Sequence, residues 1–218
     1  MLVYKFYPPE YALESLLKLR FKVSPIDELN DPFEYLSVDM GNKSVRAWAK
    51  HFRKIVSEKN GLISFSKSWR EPLMWAHYAK SHTGIALGFE VLDELLTPIN
   101  YITDRVIPPL DVDTNNKSMK ELIDLLLKSK HKNWEYEEEV RLVRTLQNCE
   151  NEDGLFFSKW SHDTMIKEVV LGDRYLSKDS TGIQSILEDS GVIFITARPE
   201  FSGFKMTPQK CQKLHKKL

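Results

Sequence analysis

Two stretches of this 218-residue chain combine residue types that suit catalysis or ligand binding. The first is WEYEEEVRLVRT, residues 134–145. If a strand begins near Glu137, side-chain alternation places Glu137, Glu139 and Arg141 on one face and the intervening apolar residues on the other. Two neighbouring carboxylates favour raised pKa values or a cationic partner, and both suit a general base or a group that stabilises a cation. Alternatively, the glutamates cap a helix end or pair with arginines on a solvated edge.

The second stretch is GLISFSKSWREPLMWAHYAKSHTGIALGF, residues 61–89. A strand at its start alternates Ser64 and Ser66 with apolar residues, which places two hydroxyl groups on one face. Trp75 and Tyr78 follow at helical spacing, where their rings are able to stack on a planar ligand. Aromatic residues at that spacing are more typical of a core, so both interpretations stay open.

A third motif, NDPFE, covers residues 30–34 and favours a structural role. Asn30 and Asp31 before a proline predict an Asx-type turn, and Glu34 is expected to cap the element that follows. The chain has no glycine-rich phosphate loop, no GxSxG nucleophile elbow and no HExxH pair.

The elements that must position these residues follow from hydrophobic periodicity, and they predict one α+β domain. Gly61 is expected to cap the second helix. The predicted helices are 10–19, 42–59, 71–80, 117–133 and one near 180–189. The predicted strands are 2–6, 20–24, 62–66, 84–90, 99–106 and 139–146, with later strands at LFFSKW, IKEVVLG and VIFITA.

Composition excludes several classes of protein. The chain has 31 Lys plus Arg and 31 Asp plus Glu, so no overall field steers it towards nucleic acid. No segment is apolar enough to predict a membrane span, and the first residues do not resemble a secretory leader. Cys149 and Cys211 lack the spacing of a metal site or a disulfide framework. We therefore expect a cytoplasmic protein.

Taken together, four blocks resemble a bacterial and phage family catalogued as domain of unknown function 2971. The blocks are LVYKF, NDPFE, SFS followed by MWAHYAKSHTGIALGF, and WEYEEEVRL. They occur in the family's order and extend from Leu2 to about Leu146.

The same order also resembles the ADP-ribosyltransferases that use NAD. In that group the first strand carries a histidine or arginine element, a later strand ends in Ser or Thr, a helix bears Tyr before Ala, and a glutamate lies on a later strand. The resemblance implies split antiparallel or mixed sheets with flanking helices. The positions that match here are Tyr4 with Lys5, Ser64 with Ser66, Tyr78, and Glu139 with Glu137 two residues earlier.

The resemblance implies NAD as a substrate and assigns a role to each group. Glu139, with Glu137, is the predicted catalytic carboxylate, because a carboxylate that faces the ribose stabilises the charge that develops when nicotinamide leaves. Lys5 departs from the group's histidine or arginine, since it binds phosphate only as a point charge. The predicted cofactor-binding residues are Tyr4, Lys5, Ser64, Phe65, Ser66, Trp75, His77 and Tyr78.

The first functional hypothesis is therefore an ADP-ribosyltransferase-like enzyme, a toxin or phage-defence protein that modifies a protein or nucleic acid and has an antitoxin-like partner. The second is a non-catalytic module that binds a nucleotide or a partner. The third is a nuclease that uses Glu137, Glu139 and Asp31 around a divalent cation, because hard cations prefer carboxylate oxygens.

Overall fold

The computed structural model describes residues 1–107, 117–176, 183, 186–187 and 190–210. These residues form an α+β fold with a large mixed sheet and few helices, as predicted. The helices α1 to α4 are Pro9–Lys18, Lys43–Lys59, Pro72–Tyr78 and Lys117–Lys128. Strands β1 to β6 are Leu2–Tyr7, Arg20–Pro25, Asn60–Ser66, Ile85–Val91, Leu96–Pro98 and Asn100–Ile102. Strands β7 to β13 are Ser129–His131, Glu139–Thr145, Glu150–Glu152, Leu155–Lys159, Thr164–Leu171, Ile193–Pro199 and Met206–Pro208.

The chain forms two compact units, each assembled from separate segments. The first unit contains residues 1–21, 64–95 and 159–218, and the second contains residues 22–63 and 96–158. Among the described residues, no helix combines the length and the apolar character that crossing a bilayer requires.

The first unit is a sheet with helices packed on it. Its strands follow the order β13, β12, β11, β4, β1, and the end of β3 pairs with β1 through Ser66 and Tyr4. Only β11 and β12 of this series pair in parallel. Helices α1 and α3 pack against β1. The core is aromatic, with Phe21 meeting Phe65 and Phe89 edge to face at ring-centre distances of 5.6 and 4.7 Å.

The second unit combines short strand pairs with α2 and α4. Strand β5 pairs antiparallel with β8, whereas β6 and β7 form a parallel pair. Val38, Ala49, Leu122 and Leu126 are buried together, and residues of α2 and α4 therefore share one apolar core. This arrangement follows from the amphipathic periodicity of both helices.

Two glycines in the first unit allow backbone segments to approach each other closely around the sequence AKSHTG. Lys80, Ser81 and His82 adopt left-handed backbone angles in succession, with φ of 47°, 54° and 70°. A Cβ added to Gly172 would lie 2.1 Å from the carbonyl oxygen of His82, and one added to Gly84 would lie 2.2 Å from that of Tyr7. Only glycine fits these two positions.

The structure corrects the prediction that Gly61 caps α2. The helix ends at Lys59, and Asn60 is already extended with a φ of −131°, so β3 begins without a loop. Gly61 belongs to β3, where an added Cβ would lie 2.5 Å from Cγ1 of Val23. Glycine is therefore required there by packing.

The fourth helix is shorter than the predicted range of 117–133. It ends at Lys128, because residues 129–131 pair with β6 and residues 132–137 form a 3₁₀ helix. The helix predicted near 180–189 lies for the most part outside the described residues.

Candidate functional site

Five buried charged side chains meet in the second unit, and we call them the charge cluster. Each is at most 6% exposed. Burial of a charge is costly unless the charge is paired and hydrogen-bonded, so their grouping is not incidental. The members of the cluster are Glu34, Lys130, Glu137, Glu139 and Arg141.

Two cations link the three carboxyl groups. The Lys130 ammonium donates hydrogen bonds to Oε2 of Glu137 at 2.5 Å and to Oε2 of Glu139 at 3.1 Å. The guanidinium of Arg141 donates from Nε to Oε1 of Glu139 at 2.8 Å and from Nη2 to Oε1 of Glu34 at 2.7 Å. Each carboxyl group therefore contacts at least one buried cation, which offsets its loss of hydration.

The backbone brings Glu137 and Glu139 together differently from the predicted alternation. Strand β8 begins at Glu139, and Glu137 is the last residue of the 3₁₀ helix. Glu138 between them is left-handed, with a φ of 44°, and the chain turns there. The backbone N–H of Glu139 also donates to the hydroxyl of Tyr101 at 2.7 Å. The predicted pairing of the two carboxylates is confirmed, and so is the start of the predicted strand 139–146, but Glu137 lies in the 3₁₀ helix and not in that strand.

The prediction that Glu34 caps a following helix is also wrong. The next helix is capped by Asn42, whose side chain accepts a hydrogen bond from Ser44, and Glu34 points to Arg141 instead. The predicted Asx turn before it is confirmed, because Oδ1 of Asp31 accepts from the backbone N–H of Phe33 at 2.9 Å.

The surroundings shift the pKa values of the cluster. Burial alone would lower the pKa of Lys130, but the carboxylates of Glu139 and Glu137 raise it above its ordinary value. Burial raises the pKa of Glu34 despite the neighbouring Arg141, and Oε2 of Glu34 has no hydrogen-bond partner in the described structure. Three carboxyl groups face two cations, and Glu34 therefore favours its protonated form more than an exposed glutamate does.

A cavity of 610 Å³ lies in the same unit, within the size range of small-molecule sites. Three segments form its wall: the NDPFE turn with the residues after it, the end of β6 and the end of β7. Because β6 and β7 are parallel, Ile102 and His131 at their carboxyl ends are neighbours, and the segments that leave them diverge around the cavity.

The wall of the cavity is aromatic and charged. Phe33, Trp134 and Tyr136 contribute rings, and the ring centres of Trp134 and Tyr136 lie 6.1 Å apart. The Arg105 guanidinium lies 5.5 Å from the ring centre of Phe33. Asp31 also lines the cavity and is only 2% exposed. Such a surface suits a ligand with a planar ring and an anionic group.

The charge cluster lies directly behind one wall of this cavity. The Lys130 ammonium is 5.0 Å from the centre of the Trp134 ring, which lines the cavity. Glu34 directly follows Phe33, and Glu137 directly follows Tyr136. The cluster therefore fixes the backbone that carries all three rings.

The eight predicted cofactor-binding residues all belong to the first unit, where Tyr4 and Lys5 already have partners. The hydroxyl of Tyr4 donates to Oε2 of Glu168 at 2.9 Å. Burial raises the pKa of Tyr4, as does this carboxylate, so the phenol stays protonated. The Lys5 ammonium donates to the carbonyl oxygen of Ser64 at 3.4 Å. Tyr4 and Lys5 are thus held by contacts within the protein.

Ser64 and Ser66 differ in environment. Ser66 is 2% exposed and closes a local turn, since its hydroxyl donates to the carbonyl oxygen of Ser68 and accepts from the N–H of the same residue. Ser64 is partly exposed. The two hydroxyl groups therefore do not form the equivalent pair that alternation suggested.

The aromatic side chains among the predicted cofactor-binding residues also differ in exposure. Phe65 and Trp75 are buried, and the indole N–H of Trp75 donates to the carbonyl oxygen of Trp69 at 2.6 Å. Trp75 therefore takes the core role that was the alternative interpretation of its helical spacing. His77 is exposed and Tyr78 is partly exposed, with ring centres 6.1 Å apart.

The structure thus places Glu137 and Glu139 in one cluster and adds two residues that sequence reasoning missed, Glu34 and Lys130. The signal for Lys130 was the basic run KSKHK directly before the acidic run, because opposite charges close in sequence have the opportunity to pair. The joint NAD site of the ten predicted residues stays a prediction.

The carboxylates of the cluster are not arranged as metal ligands. Within the described ranges, no group of three or more His, Cys, Asp or Glu side chains has a geometry that would hold a metal ion. Oxygens of Glu137 and Glu139 instead accept hydrogen bonds from Lys130. In a nuclease based on these residues, the metal ion would have to displace the Lys130 ammonium.

Comparison with known proteins agrees with the motif analysis. Residues 74–142 match the model of a family described as "Protein of unknown function (DUF2971)". This stretch contains α3 from its third residue onward and four of the five cluster residues. No curated protein and no solved structure matches the chain.

Replacement of Lys130 by methionine should destabilise the protein by about 3–5 kcal/mol, because it leaves buried carboxylates without their shared cation. Lys132→Met is the matched control, since Lys132 is exposed and its loss should change stability by less than about 0.5 kcal/mol. Urea unfolding of both variants measures the difference. Equal stability of the two variants would show that the buried ion pairs contribute nothing.

Glu34→Gln should change the pH dependence of stability. Because the folded-state pKa of Glu34 is raised, the protonated form contributes stability at low pH that is lost as the pH rises through that pKa. Glutamine cannot ionise, so the variant should lack this loss and gain on the wild type as the pH rises above 4.5, the ordinary pKa of a glutamate. Urea unfolding across this range measures the effect. The exposed Glu135→Gln is the control, and parallel curves for wild type and Glu34→Gln would contradict the assignment.

Proposed function

We propose that this member of the DUF2971 family binds a nucleotide, with NAD as the leading ligand, in the aromatic cavity of its second unit. The observation that carries the proposal is the combination of three rings, a guanidinium and a buried carboxylate around a single volume of 610 Å³. A nucleotide offers the matching groups: a planar base, a sugar with hydroxyl groups, and phosphates.

The rings supply a stacking surface for the base. Trp134 and Tyr136 are partly exposed and lie at an interplanar angle of 39°, and Phe33 is 58% exposed. Stacking of a base on such rings contributes about 1–3 kcal/mol per base and tolerates different bases. Affinity for a base therefore comes from the ring surface rather than from base-specific hydrogen bonds.

The guanidinium of Arg105 on the wall suits the phosphates. Arg105 is exposed beside Phe33, and its planar guanidinium is able to bind a phosphate through two parallel hydrogen bonds. His131 lies at the end of β7 on the same wall. The neighbouring Asp104 accepts a hydrogen bond from the Thr103 hydroxyl at 3.0 Å, which holds this acid in place.

Transfer of ADP-ribose from NAD is the catalytic form of this proposal, on an ADP-ribosyltransferase-like fold. The bond between nicotinamide and ribose breaks, nicotinamide leaves with the electron pair, and the acceptor nucleophile bonds to the ribose carbon and loses its proton. Glu139 would face the ribose. Because Glu139 is held by Lys130 and Arg141, this role requires it to exchange those partners, so we rank binding ahead of transfer.

The setting that we propose is the cytoplasm, with a protein or nucleic acid as acceptor, a role in phage defence or toxicity, and an antitoxin-like partner. The support is the resemblance together with balanced charge. A non-catalytic nucleotide-binding or partner-binding module is the alternative, and a metal-dependent nuclease is the weaker one because its carboxylates are paired with cations.

NAD should bind the purified protein in calorimetric titrations, and Trp134→Ala should weaken that binding about 5–100-fold because the stacking surface is lost. Trp134→Phe keeps a ring and should retain most of the affinity. Phe201→Ala is the control, since Phe201 is 92% exposed and lies in the first unit. Absence of NAD binding to the wild type, or equal affinity of all variants, would reject the cavity as the site.

Release of nicotinamide then separates the enzyme from the binding module. In an enzyme, Glu139→Gln should abolish release while NAD still binds, and Glu138→Gln, an exposed neighbour, should leave release unchanged. NAD binding without release by the wild type, with any candidate acceptor, would favour the module.

A further inference from the structure

Two phenylalanine rings lie exposed on the hairpin that joins β12 to β13 in the first unit. Phe201 is 92% exposed and Phe204 is 99% exposed, more than any other large apolar side chain among the described residues. Both belong to the short loop between the two strands. Single exposed apolar residues are ordinary, but two such rings in one loop indicate a site of interaction with another body.

The hairpin that carries the rings is anchored to the rest of the first unit. Its last strand pair joins Pro199 to Met206, and the backbone N–H of Glu200 donates to the carbonyl oxygen of Lys205 at 2.9 Å. Met206 is buried, and its N–H donates to the carbonyl oxygen of Arg70 at 2.8 Å. The two rings therefore belong to a tip that begins where the anchored strand pair ends.

Cations lie directly behind the rings. The Arg198 guanidinium is 4.2 Å from the ring centre of Phe201. Lys205, next to Phe204 in the chain, is exposed. Along the hairpin, aromatic rings at the tip are thus followed by a cation on each strand side. This order matches the depth profile of an anionic bilayer, in which lipid phosphates lie outside the apolar chains.

The end of the chain adds positive charge to this hairpin. Residues 198–218 contain six Lys and Arg and one acid, Glu200, in a chain with equal numbers of both charges. The eight residues that follow Lys210 span at most about 29 Å when fully extended, and their three lysines are therefore within reach of a surface that the tip contacts. This charge suits a surface rich in anionic lipid.

We propose that this hairpin docks the protein on an anionic membrane surface. Phe201 and Phe204 enter the boundary between headgroups and acyl chains, while Arg198 and Lys205 contact lipid phosphates. Attachment of this kind takes two weak signals, and the chain combines an apolar tip with a basic segment. The inference does not depend on the nucleotide site.

A second copy of the chain or another protein fits this tip less well. A stable protein interface buries about 800 Å² on each partner. Two phenylalanine side chains bring roughly 300–500 Å², so a protein partner would need a wider apolar surface around them. A bilayer needs only the tip, because acyl chains surround whatever enters them.

Sedimentation of the full chain with vesicles tests the apolar half of the proposal. The wild type should bind vesicles of phosphatidylcholine with about 30% phosphatidylglycerol. Joint replacement of Phe201 and Phe204 by alanine should lower the partition coefficient at least about 10-fold, because the apolar surface that enters the bilayer is lost. Tyr11→Ala is the matched control, since Tyr11 is an aromatic residue of α1 that is 59% exposed, and it should bind as the wild type does.

The ionic half is tested with the same vesicles. Replacement of both Lys205 and Lys210 by glutamine should weaken binding about 5-fold per lysine, and added salt should weaken binding of the wild type. Lys54→Gln is the control, because the Lys54 side chain is 75% exposed and lies in the second unit. Vesicles of phosphatidylcholine alone should bind the wild type at least about 10-fold more weakly than the anionic vesicles.

All substituted side chains are exposed, so the thermal midpoints of the variants should equal that of the wild type. The proposal is overturned if the wild type does not bind anionic vesicles, or if the variant without both phenylalanines binds them equally well. Equal binding to neutral and anionic vesicles would overturn the anionic specificity. A wild-type dimer that dissociates when both rings are removed would instead assign the tip to a second copy of the chain.

Discussion

The second unit depends on one interaction, in which Lys130 contacts Glu137 at the end of the 3₁₀ helix and Glu139 at the start of β8. The ammonium lies 2.5 Å from Glu137 and 3.1 Å from Glu139, in surroundings where Lys130 is only 6% exposed. In such surroundings an unpaired charge is strongly unfavourable, so alternative packings that separate these groups are excluded. Arg141 extends the same constraint to Glu34, which is 107 residues away in sequence. A few buried charges thus fix the relative positions of four chain segments.

That constraint shapes the cavity. The three rings on its wall lie within four residues of a cluster member along the chain: Phe33 beside Glu34, and Trp134 and Tyr136 between Lys130 and Glu137. If these loops were disordered without a ligand, ordering them on binding would cost much of the binding free energy. Because the cluster orders these backbone segments beforehand, the rings are held ready for a ligand, and the Arg105 guanidinium lies 5.5 Å from the ring centre of Phe33.

Sequence reasoning recovered the parts that local patterns determine. The β–α–β opening, the amphipathic helix from Lys43 and the strand from Glu139 follow from periodicity, and the Asx turn at Asp31 follows from its dipeptide chemistry. The pairing of Glu137 with Glu139 was also predictable. Glu34 was not, because its ion pair with Arg141 spans 107 residues and leaves no periodic signal, and Lys130 was marked only by the basic run before the acidic one. The cavity was not predictable either, because it depends on the parallel pairing of β6 with β7. Gly61 was misassigned because a glycine after a helix is far more often a cap than the start of a strand.

The buried carboxylates of the second unit have two different electrostatic environments. Those of Glu137 and Glu139 are largely neutralised by cations within hydrogen-bonding distance, and a carboxylate neutralised in this way stabilises a developing positive charge weakly. Among the described residues Asp31 is not paired with a cation, and its Oδ2 is buried without a hydrogen-bond partner. The paired acids therefore hold the backbone of the cavity wall through cations, whereas Asp31 holds the turn before Phe33 through a direct hydrogen bond to the backbone. Any chemistry assigned to Glu139 must therefore include the release of Lys130 and Arg141.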